Sequence, residues 1–206
     1  MLEYVSLSQT TYNALLKRGI TPEVLSWQKE VVYSFTYLDK QGRECKRVKQ
    51  GLTWKSLKGA INVRGFEQNN FKGIVNGKSS ISAFGSLKSS VYLIFEGYVD
   101  YSSHLSRFGV LGACYIVLNS VSFANQANAL IKKYKPKRVA YFGDNVHSYD
   151  LNAKERQPVK GGDLALHEIQ KDIVDAKIVD YRIKFIDFLD YNDYHIGKKR
   201  DWRERT

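Results

Sequence analysis

Two acidic residues stand directly after apolar runs that have the character of buried strands. Glu96 follows the run 91–95, and Asp144 follows one glycine after the strand-like run 138–142, which is apolar from Val139 onward. Continuous apolar runs of this length are typical of parallel α/β sheets, whose strands are buried on both faces. Because such sheets place their ligands at the carboxyl ends of the strands, we expect the two carboxylates to lie at the same sheet edge.

A third group of acids, Asp187, Asp190 and Asp193, follows the last predicted strand. Carboxylates that converge at one edge repel each other unless a cation lies between them. Mg²⁺ is the natural candidate, because it prefers hard oxygen ligands and keeps water molecules that can meet phosphate oxygens. Ordinary strands that end in solvated carboxylates are the alternative, since many α/β proteins have two such acids without binding a metal.

The residues around these acids alternate between strand and helix. The pattern predicts strands at 91–95, 114–118, 138–142 and 177–185, and helices at 98–107, 123–134 and 163–174. This alternation implies right-handed crossovers and a mostly parallel sheet flanked by helices. We therefore predict an α/β domain over residues 89–197, followed by a basic tail at 198–206.

The first part of the chain has a different periodicity. Two short helices are predicted at its start, over 8–18 and from Thr21 onward, where Pro22 takes the first helical position. From residue 30 the apolar period changes to two, which predicts antiparallel strands. They cover 31–38, 44–49, 52–57, 59–64 and 70–75. A Ser/Gly-rich stretch then marks a junction, so residues 1–88 are predicted as a separate, basic α+β region.

The charge distribution favours a polyanionic partner. The chain carries a net charge of +11; residues 1–90 hold 14 Lys and Arg against 6 acids, and residues 91–206 hold 18 against 15. We expect the partner to be nucleic acid, with single-stranded DNA favoured, because aromatic residues among the basic ones can stack on bases. The predicted contacts are Lys46, Arg47, Lys49, Arg64, Lys72, Lys133 and Lys135. A solvated basic surface is the alternative, as is a helix dipole effect for the last two.

Several classes of protein are disfavoured. No apolar run reaches the roughly 18 residues that a bilayer span requires, and the first residues do not have the pattern of a secretory signal. Cys45 and Cys114 are far apart and lack the spacing of zinc ligands. They are predicted to be buried thiols in a reducing cytoplasm.

Three motifs resemble the Toprim domain of primases, topoisomerases and related nucleases. They are the residues 95–100, 142–145 and 190–193. The resemblance is strongest to primase-like Toprim proteins of Bacteroidetes plasmids and mobile elements. It extends to 116–122 and 187–197, and more loosely to 17–20 and 70–73.

The resemblance implies a Toprim-like, Rossmann-type fold and Mg²⁺-dependent phosphodiester chemistry, primase-like or nuclease-like, in the replication or mobilisation of a mobile element. By this resemblance Glu96 would be the acid/base carboxylate and a metal ligand, and Asp144 would hold Mg²⁺. The family has a second Asp where this chain has Val146, so Asp150 or Asp163 is a candidate replacement. The alternative is a catalytically degenerate Toprim module that binds nucleic acid, or a replication, mobilisation or structural partner protein, without turnover.

A phosphohydrolase is a third interpretation of the acids. Such a site requires an Asp nucleophile after the first strand and a further Asp two residues later. The sequence at 96–98 is Glu-Gly-Tyr, which does not provide it.

Overall fold

The computed structural model describes residues 2–66, 71–145, 147–149 and 158–198, and the chain divides into two compact units, Met1–Ser79 and Ser80–Thr206. The division falls earlier than the junction predicted near residue 88. The reason is a short strand, Ser82–Phe84, which pairs with Cys114–Val117 and therefore belongs to the second unit.

The first unit is a five-stranded antiparallel sheet with two short helices. Its strands, in spatial order, are β1 (Leu2–Val5), β2 (Lys29–Leu38), β3 (Glu44–Lys55), β4 (Ile61–Arg64) and β5 (Lys72–Val75). The predicted strands 44–49 and 52–57 form one continuous strand that passes through Gly51. A Cβ at this glycine would lie 2.6 Å from the carbonyl oxygen of Arg64, so only glycine allows the close approach of β4.

The helices α1 (Gln9–Leu16) and α2 (Pro22–Ser26) begin where their capping residues predict. The hydroxyl of Ser8 accepts the N–H of Thr11 at 3.3 Å. A buried carboxylate, Glu30 on β2, accepts the N–H of Ser8 at 2.7 Å and the hydroxyl of Thr11. It also accepts the side-chain amide of Gln50 at 2.8 Å. These bonds fix α1 on the face of the sheet that carries the even-numbered residues of β2 and β3.

The second unit is the mostly parallel α/β sheet that the sequence predicts. Its strands are β6 (Ser82–Phe84), β7 (Val91–Phe95), β8 (Cys114–Val117), β9 (Arg138–Phe142) and β12 (Lys177–Asp180), in the spatial order β12-β9-β7-β8-β6. All pairs are parallel except β6 with β8. A separate hairpin is formed by β10 (His147–Tyr149) and β11 (Pro158–Lys160). The last strand ends at Asp180 rather than at 185, where a 3₁₀ turn, Arg182–Phe185, replaces the predicted extension.

The helices of the second unit are α3 (Tyr98–Phe108), α4 (Ala124–Tyr134), α5 (Gly161–Gln170) and α6 (Tyr191–His195). One buried cluster joins the strands to residues of α4 and α5, including Ile131 and Ile169. A second, aromatic cluster contains Phe95 and Phe142 at the strand ends, with ring centroids 4.9 Å apart. Within the described ranges, no helix has both the length and the apolar character needed to cross a membrane.

Candidate active site at the carboxyl edge of the parallel sheet

Glu96 and Asp144 lie together at the carboxyl edge of the second sheet. The strands that precede them, β7 and β9, are parallel neighbours, with Phe95 opposite Phe142. The backbone N–H of Asp144 donates a hydrogen bond to Oε2 of Glu96 at 3.3 Å. The ladder between β7 and β9 thus brings the backbone of Asp144 to the side chain of Glu96, as expected for acids that follow neighbouring parallel strands.

The end of β8 holds the backbone of Glu96 from the other side. The N–H of Asn119 donates to the carbonyl oxygen of Glu96 at 3.2 Å. Asn119 has a left-handed φ of 65°, which Asn tolerates better than most residues. Its side-chain amide donates to the carbonyl of Ser80 at 2.8 Å and to the hydroxyl of Ser82 at 3.0 Å. The segment that resembles Toprim proteins at 116–122 thus positions the first candidate carboxylate.

Asn145 holds the loop after β9 to the segment that follows β12. Its side-chain amide donates to the carbonyl oxygens of Phe185 at 2.9 Å and Phe188 at 3.2 Å. Its backbone N–H donates to the carbonyl of Leu189 at 2.7 Å. The amide group is therefore engaged in holding the segment after β12 against Asp144.

Arg182 is a buried cation that was not predicted from the sequence. Its side chain is only 11% exposed, and its Nη1 and Nη2 lie 2.7 Å from Oδ1 of Asp163 and 2.8 Å from Oδ2 of Asp180. The guanidinium lies over the ring of Tyr141, 5.3 Å from its centroid. Asp163, a candidate metal ligand in the sequence, thus pairs with a guanidinium. The sequence signal for the pairing of Arg182 with Asp180 was their separation by two residues near a strand end.

The ionisation of Tyr141 and Arg182 reflects this crowding of charges. Burial raises the pKa of Tyr141 above its ordinary value, and the charge of Glu96 acts in the same direction. Burial alone would lower the pKa of Arg182, but the hydrogen bonds to Asp180 and Asp163 outweigh it, so this pKa is raised. Arg182 is therefore a permanent positive charge, held between Asp163 and Asp180.

The start of α5 comes close to Asp144 because residue 162 is a glycine. A Cβ at Gly162 would lie 2.3 Å from the carbonyl oxygen of Asp144 and 2.9 Å from Nη1 of Arg182. The hydroxyl of Tyr141 donates to the carbonyl oxygen of Gly162 at 3.1 Å. Gly162 thus permits the helix, the buried cation and the strand-end acid to meet.

The closing acidic cluster has a structural role in α6. Asp190 is the N-cap of this helix, and its Oδ1 accepts the N–H of Asp193 at 2.7 Å. The N–H of Asn192 donates to Oδ1 of the buried Asp100 at 3.0 Å. A Cβ at Gly97 would lie 2.8 Å from Oδ2 of Asp100, so the glycine after Glu96 makes room for this carboxylate. The spacing Asp190-x-x-Asp193 is an N-cap signal that the sequence already contained.

Glu96 and Asp144 are residues of the type that could hold a magnesium ion with two carboxylate ligands. Over the ranges that the structure describes, no three or more His, Cys, Asp or Glu residues are grouped so that they would hold a metal ion. In the described residues Asp163 and Asp190 are thus not grouped with Glu96 and Asp144 as a set of three or more acids, and Asp150 lies outside the described residues. Mg²⁺ is commonly held by one or two carboxylates together with water and substrate phosphates. The donor set of Glu96 and Asp144 meets that requirement.

The predicted nucleic-acid contacts belong to both units. Five lie in the first sheet: Lys46, Arg47 and Lys49 on β3, Arg64 on β4 and Lys72 on β5. Arg64 and Lys72 are paired across their strands. The other two lie at the end of α4, where Lys133 is 5.1 Å from the ring centroid of Tyr134 and Lys135 is 3.1 Å from Asp175.

The chain is an α/β protein in which an antiparallel sheet is followed by a mostly parallel one. Its two candidate acids follow neighbouring strands of the second sheet. No family model matches the sequence, and no curated protein matches it. The structure is similar to the primase fragment of the bacteriophage T7 primase-helicase, with a TM-score of 0.52 and 13% identity, covering 95% of this chain and 70% of that one.

A second solved structure shows the same likeness. It contains bacteriophage T7 lagging-strand DNA polymerase interacting with primase domains bound to an RNA/DNA hybrid and dTTP. The matched chain has a TM-score of 0.53 and 13% identity, covering 95% of this chain and 86% of that one. At this identity the likeness shows the fold: the chain has a fold that resembles a phage primase.

Proposed function

We propose that this chain is a Toprim-type nucleic-acid protein that makes or breaks phosphodiester bonds at Glu96 and Asp144. The observation that carries the proposal is the contact of these two acids at adjacent strand ends, at 3.3 Å from N–H to carboxylate. The primase-like fold and the basic first unit support the same function. A mobile-element context rests on the motif resemblance alone.

The roles of the residues follow from their positions. Glu96 and Asp144 would hold Mg²⁺, which would supply charge neutralisation for phosphate oxygens. Glu96 would also transfer a proton to or from the reacting oxygen. Asn119 would keep Glu96 in place through its backbone N–H, and Asn145 would keep the loop of Asp144 in place through its side chain and its backbone N–H.

The test is an assay for primer synthesis and for strand cleavage with Mg²⁺ or Mn²⁺. Glu96→Gln and Asp144→Asn should each abolish activity, because each removes a charged ligand while keeping the shape of the side chain. Asp187→Asn is the control, since it makes the same kind of change at an exposed acid after the 3₁₀ turn and should retain activity. Activity that survives Glu96→Gln would exclude the assigned role.

A second function, binding without turnover, is favoured by two observations. The sequence has Val146 in place of the second acid of the motif, and the described residues supply only two carboxylates to the site. A degenerate Toprim module would bind nucleic acid or a replication or structural partner. Salt-dependent binding of single strands that is unchanged by a chelator, together with no turnover, would support this function.

A further inference from the structure

A two-stranded ribbon projects from the sheet of the first unit. β2 and β3 pair along the whole length of β2, from Lys29 opposite Thr53 to Leu38 opposite Glu44. Their neighbours are shorter: β1 reaches only Tyr33, and β4 pairs with β3 only from Leu52 onward. Residues 34–38 and 44–48 therefore have no further strand on either side within the described part of this sheet. We call these two segments the ribbon.

One face of the ribbon carries a row of aromatic rings. Tyr33, Phe35 and Tyr37 alternate along β2 and so point to the same side. Their ring centroids are 6.0 and 6.1 Å apart. The row begins next to the buried Val31, and exposure rises toward the tip, reaching 40% at Tyr37. Tyr33 packs against the small core of this sheet, whereas Tyr37 at the far end of the row is exposed and is not explained by core burial.

Cations lie beside the same rings. Arg47 is 5.7 Å from the ring centroid of Tyr37. Lys49 is 5.5 Å from the centroid of Phe35 and 4.3 Å from that of Phe71. Within 34–49 the sequence has five basic and two acidic residues, and one of those acids, Asp39, is paired with Arg43 at the turn. The ribbon therefore joins flat apolar rings to excess positive charge.

The opposite face of the ribbon has a different chemistry. Its side chains within the described residues are Ser34, Thr36, Leu38, Glu44, Lys46 and Val48, without an aromatic ring. Leu38 and Val48 are 69% and 58% exposed. Lys46, which the sequence analysis placed with Arg47 and Lys49 as a contact, is on this second face. The two faces thus provide an internal comparison on one element.

We propose that the aromatic face of the ribbon binds single-stranded nucleic acid without regard to sequence. The inference rests on the proposed nucleic-acid function and adds to it a binding surface in the first unit. Bases stack on aromatic rings irrespective of sequence, while neighbouring cations neutralise the backbone. The ring spacing of 6.0 Å is well above the separation of stacked bases in a duplex, about 3.4 Å. It therefore suits an extended strand, in which each ring takes one base.

Binding to the full chain can be measured by fluorescence anisotropy with a labelled oligothymidylate of about 16 nucleotides. A chelator is present, so the metal site does not contribute. Tyr37→Ala removes the most exposed ring, and Phe35→Leu removes a ring but keeps apolar volume. Each should raise the Kd by about tenfold. The thermal midpoint of Tyr37→Ala should stay that of the wild type, because this side chain is outside the core.

Two matched pairs separate stacking from general charge. Leu38→Ala, on the opposite face beside Tyr37, should leave the Kd unchanged. Arg47→Gln and Lys46→Gln remove the same charge from adjacent positions, and Arg47→Gln should weaken binding more. Equal losses from these two variants, with none from Tyr37→Ala, would show diffuse electrostatic attraction and would overturn the proposal.

The remaining outcomes are also decisive. If Tyr37→Ala and Phe35→Leu both bind the oligonucleotide as tightly as the wild type, the ribbon is not the binding site. The proposed function is then still judged by its own activity assay. If the wild type binds no oligonucleotide at low salt, the ribbon proposal fails, while the proposed function is still judged by the activity assay with metal present. A blunt duplex that binds as tightly, and is weakened by the same variants, would overturn the assignment to single strands.

Discussion

Nη1 of Arg182 lies 2.7 Å from Oδ1 of Asp163, and this contact favours a structural role for the acid. By motif resemblance, Asp163 was a candidate to replace the missing second acid of the metal site. Its carboxylate instead shares a buried guanidinium with Asp180. We therefore expect Asp163 to contribute to stability and not to metal affinity.

Asp163→Asn tests this assignment. The variant keeps a hydrogen-bond acceptor but removes one of the two carboxylate charges that contact Arg182. We therefore expect the free energy of unfolding to fall by about 1 kcal/mol. Mn²⁺ affinity, measured by calorimetric titration, should not change. The control is Asp187→Asn, which alters an exposed acid and should leave both quantities unchanged. Lost Mn²⁺ binding at wild-type stability would reverse the assignment.

Gly162→Ala tests the close approach of α5 to the site. The added methyl group would lie 2.3 Å from the carbonyl oxygen of Asp144, so the helix or the strand end must shift. Overpacking of this kind costs about 1–3 kcal/mol, and denaturant unfolding would measure it. We also expect Mn²⁺ affinity to fall, because Asp144 moves relative to Glu96.

The matched control for that glycine is Gly112→Ala. A Cβ at Gly112 meets nothing within 4 Å, so this substitution should leave stability and Mn²⁺ affinity close to the wild type. If Gly162→Ala behaves like Gly112→Ala, the contact with Asp144 does not constrain the site.

The sequence predicted the elements whose pattern is local and strong. β7 and β9 were identified because each consists almost entirely of apolar residues buried on both faces, and both have the predicted bounds. The short β6 was missed, because Ser82–Phe84 has no apolar run of its own and is defined by pairing with β8. Sheet edges formed by long-range pairing leave little trace in a single sequence.

The end of β12 shows why strand length was overestimated. The apolar pattern continues through Ile183 and Phe185. The side chain of Asp180, however, accepts the backbone N–H of Arg182 at 3.0 Å. Such a local bond competes with the sheet ladder and turns the chain. The turn then places Arg182 beside Asp163, a contact that depends on tertiary structure and was not predictable from spacing.

The contact of Glu96 with Asp144 was predictable, since it follows from the parallel order of two strands. The contact of Asp100 with Asn192 was not predictable, although both residues lie within motifs that resemble those of Toprim proteins. The hydrogen bond between them joins α3 to α6. Motif resemblance identified these residues, and only the structure showed that they hold the fold together around the site.

His104 should make stability depend on pH. It is 4% exposed, and burial lowers its pKa to about 4, while the charge of Arg107 acts in the same direction. Between pH 6.5 and about 4 the unfolded chain therefore binds a proton that the folded chain does not. The contribution of His104 to the free energy of unfolding is fully present well above pH 6.5. It is lost as the pH falls toward 4, by about 3 kcal/mol over the whole interval.

His104→Phe should flatten this part of the stability profile, because it removes the titrating group and keeps an aromatic ring among Phe95, Phe142 and Tyr191. Urea unfolding at a series of pH values would measure the slope. His167→Gln, at an exposed position on α5, should keep the wild-type slope. A His104→Phe profile as steep as the wild type would assign the pH dependence to other groups.

Asp190 offers a test in which capping and metal binding predict opposite results. Its Oδ1 accepts the N–H of Asp193 at the first turn of α6, and Asn caps helices about as well as Asp. Asp190→Asn should therefore retain the stability of the wild type, whereas Asp190→Ala should cost about 1 kcal/mol. A metal ligand would behave differently, since both substitutions remove the charge. Thermal unfolding and Mn²⁺ titration of the two variants would separate the roles: loss of Mn²⁺ binding in Asp190→Asn would show that this carboxylate is a ligand after all.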